Sequence, residues 1–315
     1  MMTSRFLVSG NPATDPKAAA QWLAEQRRRP IRAPHKTVQY GELVITRGGL
    51  SSVSKEDLWS ILEQVAIAAI EVARFDLAEL CISRLSSRFA NSQRVTSLQG
   101  MLLEGQAKSR DAIRLYESVL ETEQTSLILS RRRIGAIKST GDIKQTLHAL
   151  NSHLDIFYND PEAWQELAEV YATQSMYAQS AFALEELLLQ VPQNGFFQLK
   201  YAETLYTAAE LTKSYKAYLR VLEMCQSDAA TTQPVAPNTT AAHGAWLRAL
   251  WGTKMVTTAL IATPPRASST DDAIDQAKVL KIDELVTKLL LTNVYTPQAV
   301  ACKHLRDVAR AVLAA

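Results

Sequence analysis

The side chains able to do chemistry are few in this chain and poorly placed for it. The histidines stand at 35, 148, 153, 243 and 304, and the cysteines at 81, 225 and 302. His148 and His153 are five residues apart, a spacing that keeps them off a common helix face. The cysteines are odd in number, lie far apart and form no C-x-x-C pair, so they read as reduced thiols of a cytosolic protein, Cys81 being a small core residue. No G-x-x-x-x-G-K-[ST] or G-x-G-x-x-G loop is present to cradle a phosphate. Glu162, Glu166 and Glu169 follow helical spacing and read as a solvated face. No Ser or Cys has a local activating motif. This inventory predicts no cofactor, no metal site and no catalysis. The enzymatic alternative is a site assembled from distant residues, or a regulator using the rest of the chain as a docking arm.

The composition narrows the partners. Lys plus Arg number 34 against 32 Asp plus Glu, so no net basic field draws the chain to nucleic acid. No stretch approaches the ~20 apolar residues of a membrane span. Phe6-Leu7-Val8 is too brief for the apolar region of a signal peptide. A soluble cytosolic protein is expected, in which the sequon at Asn238 is silent.

What positions these side chains is a repeat. Five blocks begin at Trp59, Gln93, Leu127, Pro161 and Gly195, in phase at 34 residues, the period of the tetratricopeptide helix–turn–helix unit. One slot on the first helix holds Ala66, Gly100, Ile134, Ala168 and Ala202; one on the second holds Ala78, Ala112, Thr146, Ser180 and Ser214. Small residues there let two antiparallel helices approach closely. Ile82, Tyr116, Leu150, Leu184 and Tyr218 supply the bulk late in the second helix, and His153 falls in a packing slot one turn on. Asp160 caps the most regular block, with Pro161 at its first position. Arg133 and Ile134, charged and branched, predict looser packing in the third block. The fold class is all-α: a tetratricopeptide-repeat solenoid, an α–α superhelix, of about five to six helix pairs.

The expected organisation is an N-terminal arm, 1–54, with a short helix from Asp15 to Arg29, lying along the outside of the first helices. Five repeats fill 55–225. A polar, Pro-containing linker occupies 226–240, and C-terminal helices over 241–315 form a degenerate repeat and cap. Within the last segment, helices are expected over 241–262, from a cap at Thr270 to Leu291, and from Pro297 onward. Ser54 is expected to cap the first block.

First helices line the groove of such an array. The residues turned away from the small slots are Ile67 and Ile70; Arg94, Met101 and Glu104; Arg131, Gly135 and Lys138; Glu162, Gln165 and Glu169; and Leu199, Glu203 and Tyr206. The groove is thus apolar at one end, basic in the middle and acidic beyond, with Arg131-Arg132-Arg133 its densest basic cluster. The Lys/Asn pattern with which some tetratricopeptide proteins grip chaperone tails is missing.

The stretches DLWSILEQVAIAAIEVARFDLAELCISRL (57–85), RDAIRLYESVLE (110–121), DPEAWQELAEVYATQSMYAQSAFALEELLLQVPQN (160–194) and QLKYAETLYT (198–207) resemble the family of subunit 2 of the endoplasmic reticulum membrane protein complex. The resemblance covers roughly 57–225. It implies a non-catalytic scaffold, peripheral on the cytoplasmic face of the endoplasmic reticulum. Such a scaffold binds cytosolic parts of the membrane-embedded subunits and a soluble subunit, supporting insertion of tail-anchored and multispanning proteins. A general cytosolic repeat adaptor outside that complex is the alternative. The triplet Arg131 to Arg133 matches a basic stretch of the family, which implies partner contact there.

Overall fold

The 34-residue period is realised as antiparallel helix pairs. The computed structural model describes residues 10–29, 31–47, 55–231, 244–263, 275–295 and 303–314. Among them every regular element is a helix and none is a strand. The first repeat pairs α3 (Lys55–Glu71) with α4 (Phe75–Arg88). Then come α5 (Gln93–Gly105) and α6 (Ser109–Leu120), α7 (Leu127–Ser139) and α8 (Ile143–Ile156), α9 (Pro161–Thr173) and α10 (Tyr177–Gln190), and α11 (Gly195–Thr207) and α12 (Leu211–Thr231). Four first helices start on the residue at which the sequence block starts. The chain forms two compact units, Met1–Phe157 and Tyr158–Ala315.

The turn inside each block repeats as faithfully as the helices. Ala73, Ala107, Gly141, Ser175 and Ala209 have φ between 58° and 80°. They are the residues between first and second helices, one per period. Left-handed backbone costs an L-residue roughly 1–2 kcal/mol, so four of these turns hold a small residue under strain. A hydrogen bond closing the first helix offsets that cost: Arg74 N–H to the Ala69 carbonyl, Lys108 to Leu103, Met176 to Tyr171, and Glu210 to Leu205, all 2.8–3.0 Å. The glycine turn is built differently. There Asp142 caps α8 through the Gln145 N–H at 3.0 Å.

The small slots do what their size permits. Ala66, Ala168 and Ala202, and opposite them Ala78, Ala112, Thr146, Ser180 and Ser214, are all buried. The Ser180 hydroxyl donates to the Ala168 carbonyl at 2.8 Å, and Ser214 to Ala202 at 2.9 Å. The two slots of a block therefore touch, and the buried hydroxyls find acceptors on the partner backbone. A Cβ on Gly100 would lie 2.2 Å from the ring of Tyr116, which is itself fully buried. The third block departs as its sequence suggests: Ile134 is buried in the small slot, and α7 with α8 is the most loosely packed pair of the five.

The N-terminal segment is more than an arm with one helix. α1 (Pro16–Arg28), capped by Asp15, is followed by α2 (Pro34–Thr46), and both pack on α3 as a further helix pair. The second helix is masked in the sequence by Pro34 and Gly41, which read as breakers. Pro34 instead opens α2, where a missing N–H costs nothing. Gly41 is required by proximity, since a Cβ there would meet Val65 at 2.2 Å. Arg27 ties the pair to α3 through Asp57 and Gln64, both at 2.9 Å.

In the second unit α12 runs into the segment read as a linker. α13 (Ala245–Ala262) packs on α11 and α12 in the manner of another first helix, with Gly252 meeting Tyr218. α14 (Gln276–Leu289) covers α13, continues as a π-helical turn (Leu290–Val294) and is followed by α15 (Lys303–Ala314). The expected caps at Ser54 and Thr270 lie outside the described residues, as does the start of the last helix at Pro297; the described start of α14 is capped by Asp275.

Two outcomes follow. Gly100→Val should lose about 1–3 kcal/mol through overpacking against Tyr116, read as a lower midpoint in urea unfolding. Burial raises the Cys81 thiol from 9.0 to about 11. Stability from that thiol is full below the unfolded value and drains as pH rises through the folded one. Between about pH 8 and 11 the chain should lose roughly 2–3 kcal/mol more than its Cys81→Ala variant, measured by unfolding across that range.

Candidate functional site

The first helices of each unit present a face on which most of the charges are already used. In the first unit Arg94 on α5 forks onto Glu63 of α3 at 2.6 and 3.2 Å. Arg132 on α7 reaches Glu104 of α5 at 3.3 Å. In the second unit Lys200 on α11 meets Glu169 of α9 at 2.5 Å, and Arg248 on α13 meets Glu203 of α11 at 2.7 Å. Each bond joins one first helix to the next, so the pairs form a cross-repeat ladder. The exposed rungs are individually weak, worth ~0.2–1 kcal/mol after solvent screening, but they fix neighbouring helices in register.

One rung is tied into the core. The Tyr116 hydroxyl donates to Glu104 at 2.5 Å, while Arg132 holds the other carboxylate oxygen. Burial first, then this carboxylate, push the Tyr116 phenol far above its ordinary range. Glu104 thereby links the small-slot packing of the second block to the face of the third.

The residues picked from the sequence separate into three groups. Arg94, Glu104, Arg132, Glu169 and Glu203 are ladder members, and Gln165 donates to Glu169 at 3.2 Å. Ile70, Met101 and Tyr206 are half-buried against the cores of their units. Ile67, Arg131 and Lys138 stay exposed. Around Arg131 the surface is concave, a hollow of about 400 Å³ lined by Glu104, Ile128, Arg131, Arg132 and Gly135. A Cβ at Gly135 would touch nothing, so an approaching chain meets bare α7 backbone there.

Two selections need correction. Leu199 is 1% exposed, a core residue of the second unit with no surface to offer. Arg133 does not stand with Arg131 and Arg132. It lines a different cleft, between α6 and α8, because consecutive residues on a helix are 100° apart and a triplet cannot share one face. The missed participants are Glu63, Lys200 and Arg248. Opposite charges 31 residues apart, at Glu63/Arg94 and Glu169/Lys200, are the signal that marks the first two; Arg248 stands 45 residues from Glu203.

The second unit also carries an enclosed polar clamp. Lys254 on α13 reaches Asp283 of α14 at 2.7 Å, both less than a fifth exposed, and the Thr257 hydroxyl donates to the other Asp283 oxygen at 2.6 Å. Ser130 and His153 share a 2.8 Å hydrogen bond, but both are buried, and the pair serves as a satisfied polar contact under the third block. Among the described residues no group of three or more His, Cys, Asp or Glu could hold a metal ion, and no helix is long and apolar enough to cross a membrane.

Residues 82–223 match the family described as the EMC2 TPR-like repeat domain. ER membrane protein complex subunit 2-A of Xenopus laevis is 35% identical over 194 residues, 60% of this chain and 65% of that protein. TPR repeat protein oca3 of Schizosaccharomyces pombe is 33% identical over 177 residues, 55% of this chain and 63% of that protein. The matches thus span just under two thirds of these relatives' length. The C-terminal part of a TPR repeat-containing protein from Cytophaga hutchinsonii superposes with a TM-score of 0.55 at 13% identity, over 89% of this chain and 96% of that one; it shares the fold.

The clamp and the ladder should separate in energy. Asp283→Ala strands an enclosed ammonium and should cost about 3 kcal/mol, whereas Glu63→Ala should cost under about 1 kcal/mol. Chemical unfolding of the two variants checks the ordering.

Proposed function

We propose that this chain, whose repeat array carries the TPR-like domain of the EMC2 family, is a non-catalytic scaffold subunit of the endoplasmic reticulum membrane protein complex. The observation that carries the reading is the match of residues 82–223 to that domain, joined to relatives that bear the subunit's name. The chain would sit peripherally on the cytoplasmic face of the endoplasmic reticulum. It would hold cytosolic segments of membrane-embedded subunits and contact a soluble one, supporting insertion of tail-anchored and multispanning proteins.

The physical support comes from the first-helix face. Its ladder keeps neighbouring helices in register, so the exposed side chains between rungs are presented on a rigid surface. Arg131, Ile128 and Lys138 on α7, at helical steps of three and seven, put two cations and an exposed isoleucine on one side of the helix. An extended acidic-apolar segment fits that stripe, with the hollow at Gly135 admitting its backbone. Of the basic triplet, Arg131 is the exposed member at the rim of the hollow, Arg132 also lines it while reaching Glu104, and Arg133 lines another cleft.

Arg131→Glu with Lys138→Glu should lower co-purification with the membrane-embedded subunits about tenfold, with helicity unchanged by circular dichroism. The assay is affinity purification from detergent-solubilised endoplasmic reticulum membranes. A wild-type chain that never sediments with those membranes would instead favour a general cytosolic repeat adaptor.

A further inference from the structure

The cleft that receives Arg133 lies on the second-helix side of the third block, away from the face described above. It measures about 740 Å³ and runs between α6 and α8 with α7 as its floor. Its origin is visible in helix lengths. α4, α8 and α10 each have 14 residues, but α6 has 12 and gives way early to the connection over 121–126. The shortened helix and the loose α7–α8 pair leave a slot where second helices otherwise stand side by side. Lining residues on α8 run from Lys144 to Ile156, so the slot is about 18 Å long at the rise of an α-helix.

Its walls have opposite character. Glu117 and Glu121 stand on the α6 side, and Lys144 and His148 on the α8 side. Leu120 of α6, Ile137 of α7 and Ile156 of α8 are its apolar lining, Ile137 buried at the floor and Ile156 52% exposed. Arg133 rises from the floor. Its Nε is buried without a hydrogen-bond partner, and its nearest carboxylate, Glu117, is 4.0 Å away. The ladder pairs close to 2.5–3.3 Å. A buried guanidinium nitrogen lacking an acceptor is unfavourable, and an incoming acceptor would relieve it.

We infer that this slot is a second docking site, and that it takes an amphipathic helix of a protein partner. The helix lays an apolar stripe over Leu120, Ile137 and Ile156, turns basic side chains to Glu117 and Glu121, and turns acidic ones to Lys144, with an acceptor reaching Arg133. Length and charge select this occupant. Two to three helical turns fill about 18 Å, and walls of opposite sign match a helix charged oppositely on its two flanks. The acidic wall repels a nucleic-acid backbone, and a recessed slot cannot be laid against a flat bilayer.

The test places a benzophenone photoprobe at Ile156 in the full-length chain expressed in eukaryotic cells, and sequences the crosslinked peptide. The expected adduct is with one helix-forming segment bearing an apolar stripe between Lys/Arg and Asp/Glu flanks. Its yield should fall about tenfold when Glu117→Lys and Glu121→Lys are introduced, and should not change with Arg131→Glu. Lys144→Glu reverses the opposite wall and should produce the same fall, which keeps the test decisive if the double variant unfolds. An adduct with lipid or with a second copy of this chain, an adduct indifferent to both reversals, or no adduct overturns the inference. A charge-dependent adduct in a chain that does not sediment with membranes leaves the slot standing and removes the complex-subunit reading.

Discussion

Every feature of this chain depends on how closely two antiparallel helices can approach within a block. Where both facing positions are small, the approach is limited by backbone, and a serine hydroxyl on one helix bonds a main-chain carbonyl on the other, as at Ser180/Ala168 and Ser214/Ala202. The short turn that such proximity demands forces one residue into left-handed backbone at each period, mostly alanine or serine rather than glycine. The strain is tolerated because the helix-closing hydrogen bond and the interface formed beyond it are realised together. Tyr116 fills the space over Gly100, and Tyr218 that over Gly252, so these buried rings are placed by the smallest residues.

The joins between blocks share this apolar packing and add a second kind of interaction. Consecutive first helices are tied by ion pairs whose members are mostly half-exposed, so each contributes little energy and considerable geometric definition. This changes how a charged helix face should be understood. A run of Arg and Glu along the array is largely engaged between neighbours, and what such a face offers a partner depends on exposure and shape, as at the hollow beside Gly135. Glu104 illustrates the coupling: one carboxylate serves a buried tyrosine and a cross-repeat arginine. Its loss would disturb core and surface together.

The repeat was legible because its constraint is one residue wide and recurs in phase. Helix starts at Gln93, Leu127, Pro161 and Gly195 follow from it, and so does the looseness around Ile134. The second N-terminal helix was not legible, because Pro34 and Gly41 are breakers by composition and become helix residues only when Val65 and the α3 surface are present. Leu199 was misplaced for a related reason. Its helix meets neighbours on more than one side, so a face turned from the small slot is not automatically turned to solvent. The ladder was only partly visible: Glu104 and Arg132 both drew notice, but for Arg94, Glu169 and Glu203 the mates Glu63, Lys200 and Arg248 did not. The Arg131–Arg133 triplet read as one patch because adjacency in sequence stands out, although a helix distributes adjacent residues around its axis.

The third block shows why departures from the repeat carry more functional information than the repeat itself. A solenoid unit that obeys every slot has its side chains committed to neighbours, and its surface is what remains. Ile134 stands in the small slot of the loosely packed α7–α8 pair, Arg133 beside it meets Glu117 only at 4.0 Å, and the shortened α6 withdraws one wall. Each change alone would be a modest destabilisation. Together they open an 18 Å slot, at the ~1.5 Å helical rise, whose walls are oppositely charged and whose floor holds an unsatisfied donor. That it is open, beside a block whose other face presents Arg131 and Lys138, concentrates both surfaces in one helix pair, where a partner on either side bears on the same loosely packed α7.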